Sequence, residues 1–156
     1  MRIEYWLLLS AYPIGMAILF FIPKNKIRLA VVAFLFTQLI TFLLGLVVVE
    51  LGLLQYPVRF FASINRASFT YEYFFLPVIC ALFNARYPSN RSTLIQCGYY
   101  IGYTSILTIS EILFEKYTDL IKYINWEWYI TWVTVCLTFY LTRILSLWFF
   151  SKGKVL

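Results

Sequence analysis

The sequence predicts an all-α integral membrane helical bundle, with about five transmembrane helices and short interfacial helices between them. Three observations predict it. First, of 156 residues 62% are hydrophobic and 13% charged, at a mean hydropathy of +0.79, whereas a soluble domain carries about 25% charged residues. A soluble chain of this length would still expose much of its surface to water, so lipid has to be the solvent for most of this one. Second, the apolar residues fall into runs of spanning length. Third, the basic residues fall between those runs, where the positive-inside rule places them. The net charge of +6 therefore reads as topology, and no nucleic-acid partner is expected.

The first span covers about residues 5–22. Arg2 is offset by Glu4 and no small-residue cleavage site precedes Pro23, so this span is expected to be retained and not removed as a signal peptide. The second covers about 29–49, enough for a ~30 Å hydrocarbon core. Thr37, Gln38 and Thr41 share one of its faces, expected to form an interhelical hydrogen-bond patch, with a solute-lining face as the sharper reading. Beyond Gln55, Tyr56 and Pro57, Arg59 and Arg66 lie opposite Phe60, Phe61 and Ile64. That pattern predicts a short amphipathic helix in the interface plane, with a plain loop as the alternative.

The third span, about 69–83, reaches only ~22 Å at ~1.5 Å per residue. Glu72 lies near its start and Pro77 in its middle, where the missing donor predicts a kink. A short kinked span beside a carboxylate is what a lined cavity needs. Residues 84–92 read as a basic turn with Arg86 and Arg91. The fourth span, about 93–114, holds Gly98 and Gly102 in a GxxxG pattern, expected to pack a helix within the fold or a second copy. Glu111 lies near its end. The fifth, about 128–150, carries Thr131, Thr134, Thr138 and Thr142 on one face. Their hydroxyls can equally bond their own backbone. Arg143 sits inside this span, with a stem long enough to snorkel.

With five spans the termini lie on opposite sides. One side collects Lys24, Lys26, Arg28, Arg86, Arg91, Lys152 and Lys154 with no acid; the other mixes Arg2, Arg59, Arg66, Lys116 and Lys122 with six acids, Glu4, Glu50, Glu72, Glu115, Asp119 and Glu127. The expected arrangement is a multi-pass plasma-membrane protein with its N-terminus outside and its C-terminus cytoplasmic.

Two constellations carry possible chemistry. Glu72, Glu111, Gln38, Thr134 and Thr138 form the candidate intramembrane polar site, because two carboxylates in low dielectric can share a proton or hold a cation. The bland alternative pairs each acid with Arg59, Arg66 or a tyrosine hydroxyl. The other is the 109–128 stretch, with Glu111, Glu115 and Asp119 at four-residue spacing and Trp126 and Trp128 suited to an interfacial belt. It is expected to be a membrane-anchored loop-helix, and Glu115, Asp119, Tyr123, Trp126 and Trp128 are its candidate partner contacts. There is no histidine, and Cys80, Cys97 and Cys136 lie in or beside apolar runs, so neither a disulfide framework nor a metal site is expected. No nucleophile triad, phosphate loop or dinucleotide fingerprint is present. No catalytic residue and no cofactor are expected.

Val58, Arg59, Phe60, Phe61, Asn65, Arg66, Ser68, Phe69, Glu72, Tyr73, Pro77, Phe83, Asn84, Tyr87 and Pro88, followed by Glu111, Glu115, Lys116, Tyr117, Thr118, Ile121, Tyr123 and Trp126, together resemble a family of small, uncharacterised multi-pass membrane proteins of endospore-forming bacteria. The resemblance covers roughly residues 50–135. It implies a bacterial plasma-membrane protein, points to Glu72, Glu111 and Trp126, and brings no activity with it. The leading functional expectation is a non-enzymatic subunit that acts through the bilayer, a membrane-protein partner or copies of itself. The alternative is a small-solute or ion permease using Glu72 and Glu111. The two differ in geometry, since a permease needs both carboxylates on one cavity.

Overall fold

Each of the five apolar runs folds as helix. The computed structural model describes residues 3–152; Arg2 and Lys154, part of the charge count above, lie outside them. The helices are α1 (Ile3–Leu19), α2 (Ile27–Glu50), α3 (Leu76–Ala85), α4 (Thr93–Tyr117) and α5 (Trp128–Lys152). A 3₁₀ turn, Lys24–Lys26, leads into α2. A π-helix, Phe69–Phe75, runs directly into α3. Two helical segments are long and apolar enough to cross a membrane, Lys24–Glu50 and Trp128–Ser151; Ile3–Leu19 and Phe69–Ala85 are apolar but shorter.

The shortest helix is the centre. Eight of the ten residues of α3 are buried. It is packed by α2 along one side and by α1 and α5 on others, while α4 lies against α5. Phe83 of α3 stacks on Phe139 of α5 at 4.6 Å and is ringed by Tyr99, Tyr100 and Tyr103 of α4 at 5.0, 4.9 and 5.3 Å. This aromatic knot joins the end of α3 to the first half of α4 and to the middle of α5.

The long helices are built inside out. The buried residues of α2 are Ala30, Ala33, Thr37, Thr41 and Gly45, all small or hydroxylated. Its large residues, Val31, Leu35, Leu39, Leu43, Leu44 and Val47, are each more than half exposed. Helix α5 follows the pattern in part: Thr131, Thr138, Thr142 and Ser146 are buried and Val133, Leu137, Leu141 and Leu147 exposed, but Val135 and Phe139 also turn inward, to the core around Phe83. Small inward residues let backbones approach closely, and hydroxyls can bond across the contact. Thr37 of α2 and Thr142 of α5 meet in this way at 3.2 Å.

Pro77 does not lie in the middle of an α-helix. It falls in the first turn of α3, where a missing donor costs least, and the π-helix precedes it. The register then changes. Leu76 N donates five residues back to Tyr71 O, and Pro77 has no N–H to offer. The carbonyls of Glu72 and Tyr73 are left short of backbone donors. Helix α2 supplies both, Thr41 Oγ1 to Glu72 O at 2.6 Å and Gln38 Nε2 to Tyr73 O at 2.8 Å. The polar face of the second span is thus an interhelical hydrogen-bond patch.

At one end, the segments 51–67 and 118–127 form a joint cap. Strand β1 (Leu54–Gln55) pairs antiparallel with β2 (Lys122–Tyr123), Leu54 opposite Tyr123. Val58 N donates to Asp119 O at 3.1 Å, and Asp119 N to Glu4 Oε1 at 3.4 Å, which brings the start of α1 to the same end. The expected amphipathic helix after Pro57 does not form. Phe61 takes a left-handed φ of 59°, and Arg59 gathers the loop by donating to the carbonyls of Tyr56, Ala62 and Asn65. A guanidinium with five donors stabilises a tight non-helical loop in this way. The expected loop-helix over 109–128 is likewise corrected. Helix α4 ends at Tyr117, and residues 118–127 are turns and strand, because β pairing with Leu54 and Gln55 satisfies their backbone instead. At the opposite end Arg86 caps α1 through Phe21 O at 2.8 Å. The long stem of Arg143 carries its guanidinium to the exposed turn after α3, where it donates to Ser89 Oγ at 2.8 Å and lies 4.1 Å over the Tyr87 ring.

Candidate functional site

Glu72 and Glu111 line the same cavity, of about 140 Å³, among α2, the π-helix, α4, α5 and the cap. The π-helix sets the position of Glu72, whose N–H is bonded to Ser68 O at 2.9 Å. Its side chain is 6% exposed. Oε1 accepts from Tyr56 Oη at 2.8 Å, and Oε2 is buried with no hydrogen-bond partner. The carboxyl group lies against Gly45 of α2, so closely that a Cβ there would overlap it. Glycine is what leaves room for the acid.

Glu111 projects from α4, 8% exposed. Its Oε1 accepts from Tyr123 Oη at 2.8 Å and from Thr131 Oγ1 at 2.7 Å. Trp126 Nε1 donates in turn to Thr131 Oγ1 at 2.8 Å. So α4, the cap and the first turn of α5 converge on one carboxylate oxygen. Both acids are held by neutral hydroxyls. The arginines considered as partners are engaged elsewhere, Arg59 with carbonyls and Arg66 with the exposed Glu50 at 2.9 Å. Among the described residues no lysine or arginine lines the cavity. The hydroxyls are correspondingly hard to ionise. Burial first, then the charges of Glu72 and Glu111, push Tyr56 well above its ordinary range. Burial and the charge of Glu111 raise Tyr123 as well. Each stays a donor to its acid over the whole physiological range.

A second, larger cavity of about 280 Å³ adjoins the first, between α1 and α4. Tyr56, Tyr71 and Glu111 line both. The Tyr71 hydroxyl is buried without a partner. Leu7, Leu8, Ile14, Leu107 and Phe114 make the outer walls apolar.

Several expected site residues are placed differently. Thr134 and Thr138 do line the cavity, but their hydroxyls donate to carbonyls of their own helix, Ile130 O and Thr134 O, at 2.9 and 2.8 Å. Gln38 is not part of it; its amide goes to Tyr73 O. The expected partner segment divides. Tyr123 and Trp126 turn inward to Glu111 and Thr131, while Trp128 is more than half exposed. Glu115 lies on α4, and Asp119 lies beyond its end, so the acidic stripe at helical spacing is broken. Gly98 and Gly102 bring no helix close, since nothing lies within 4 Å of a Cβ added at either. The packing that α4 needs comes instead from its tyrosines around Phe83. Gly45 and Tyr56 are site residues that motif reading passes over, whereas Thr131, already placed on the threonine face of α5, is the member of that face that bonds Glu111. For Gly45 a signal exists: Thr37, Thr41 and Gly45 recur every four residues, one continuous inward stripe. Tyr56 has no such signal, because its place depends on the cap. No family model, curated protein or solved structure matches this chain.

Proposed function

We propose that this chain is a multi-pass integral membrane protein that carries a small solute or ion, with Glu72 and Glu111 as the binding pair. Bacterial plasma membrane is the proposed location, with the capped end and the N-terminus outside and the C-terminus in the cytoplasm. The inside-out helices support membrane residence. Large apolar residues face outward along the length of α2 and α5, whereas soluble monomers rarely expose extended apolar patches. All five helices then cross, the short α1 and the Phe69–Ala85 run through local thinning of the bilayer.

The observation that carries the solute reading is the convergence of two carboxylates on one cavity that, among the described residues, no cationic side chain lines. Acids at bilayer depth are costly and mark ion or solute paths. A purely structural pair would be expected to have all its oxygens bonded, and Glu72 Oε2 has no partner. The chemistry is binding and release, with no covalent step.

Reconstituted proteoliposomes test this on a solid-supported membrane, with a pH dye inside the vesicles so that electroneutral exchange also registers. In a panel of small inorganic and organic cations, at least one should give a signal with the wild type. Glu72→Gln and Glu111→Gln should reduce it to the level of empty vesicles. Wild-type responses equal to empty vesicles for every cation would sink the reading.

The non-enzymatic subunit reading is favoured by a different observation. Gly98 and Gly102 are open, beside the outward Leu94 and Ile101, and such a face suits another transmembrane helix. Purification in mild detergent should then yield a defined partner or a stable oligomer, and Gly98→Leu should disperse it. A monodisperse monomer would exclude it.

A further inference from the structure

The substrate class can be read from a count of donors and acceptors around the inner cavity. This inference rests on the proposal that the cavity is a solute site. Thr41 donates to carbonyls, Thr37 O and Glu72 O. Thr134 and Thr138 donate to carbonyls of α5. Thr131 donates to Glu111, and Tyr56 to Glu72. The indole N–H of Trp126 is taken by Thr131. Each of these groups has one hydrogen, and each has placed it on a protein acceptor. What remains for a ligand is lone pairs: Glu72 Oε2, which has no partner, and the hydroxyl oxygens. With both acids ionised, the Tyr71 hydroxyl is the one group among the described residues at the cavity that keeps a hydrogen without a protein acceptor.

Such a surface repels another acceptor and rewards a donor that carries positive charge. A buried carboxylate with no counter-charge is expensive, and two of them raise the demand. An inorganic cation would want several oxygens in a regular shell. Among the described residues no third acid, thiol or imidazole joins the pair, and much of the wall is Leu44, Val48, Leu54, Leu76 and Val135. Apolar walls with a few convergent polar groups are the mark of an organic-ligand pocket. Tyr56, Tyr71 and Trp126 add aromatic surface, which attracts ammonium groups.

We propose that the Glu72–Glu111 cavity binds a protonated primary amine with a short apolar body, its ammonium donating to Glu72 Oε2 and its carbon chain lying against the aliphatic wall. Three N–H donors answer a cavity that offers chiefly acceptors, and the charge offsets the acid.

Equilibrium dialysis of radiolabelled n-butylamine against the protein in nanodiscs, with empty nanodiscs as the blank, tests the assignment at neutral pH. Saturable binding is expected, displaced by unlabelled propylamine but not by 1-butanol or sodium chloride. Glu72→Gln should weaken it about tenfold or more, by loss of a charge-assisted bond. Glu111→Gln should weaken it less, and Glu115→Gln, outside the cavity, should leave it unchanged. Thermal melts of each variant establish that it is folded, and Glu111→Gln serves where Glu72→Gln does not fold. Equal displacement by 1-butanol would mean an apolar site, displacement by sodium a simple cation site, and no saturable binding an unfit cavity; each overturns the proposal. Amine binding without any transport signal would instead sink the permease reading and leave the ligand class standing. Transport of other cations without amine binding would do the reverse.

Discussion

Glu72 shows how one residue can depend on what its neighbour lacks. Its carboxyl occupies the space that a side chain at position 45 would take. Alanine at position 45 would by propensity stabilise the helix by about 1 kcal/mol. Overpacking a filled site costs about 1–3 kcal/mol, and here the displaced group is an acid whose other oxygen is tied to Tyr56. The second effect should prevail. Gly45→Ala is expected to lower the thermal midpoint in detergent and to reduce amine binding together. A raised midpoint would mean that the carboxyl simply moves aside. Tyr56 is the complementary case, a hydroxyl kept protonated by burial so that it remains a donor.

At the scale of the element, the π-helix and α3 form one apolar run with a register change inside it. Proline alone would predict a kink, and the chain instead places Pro77 where its missing N–H falls at a helix start. The carbonyls left over are answered by Thr41 and Gln38. The same threonine therefore braces the backbone that carries Glu72. Thr41→Val keeps the shape and removes the donor, so it should cost about 1–2 kcal/mol. Thr41→Ser should cost much less. Unfolding in a graded detergent series measures both, and equal behaviour of the two variants would remove the brace from the account. The cap was the least legible element. Alternation and spacing suggested helix on both sides of it, whereas pairing between residues some seventy positions apart in the chain produced strands. A local pattern cannot register a partner that distant.

At the scale of the whole molecule, the arrangement of charge predicts orientation. Lys24, Lys26, Arg28, Arg86 and Arg91 gather at the end opposite the cap, where Arg86 and Arg143 also tie helix ends together. In a bilayer that end should be cytoplasmic. A cysteine reporter introduced as Lys122→Cys, in a background where Cys97 is replaced by serine, should react with an impermeant maleimide added to intact cells. Reaction only after the cells are opened would invert the orientation and place the carboxylate cavity near the cytoplasm. The cavity lies toward the capped end, so orientation also decides which compartment loads it.

Five helices, with boundaries within a few residues for most of them, were legible in the chain's apolar runs, and so was the presence of Glu72 and Glu111 within two of those runs. Composition and hydrophobic run length carry that information because they are local and summed over many residues. The sequence did not determine which hydroxyls serve those acids, that Gly45 makes room for one of them, or that Gly98 and Gly102 pack nothing within the fold. These came from the packing of the helices. Each depends on how helices rotate about their axes, and a rotation of one residue, about 100°, moves a side chain from a cavity to the outer surface without changing the apolar pattern.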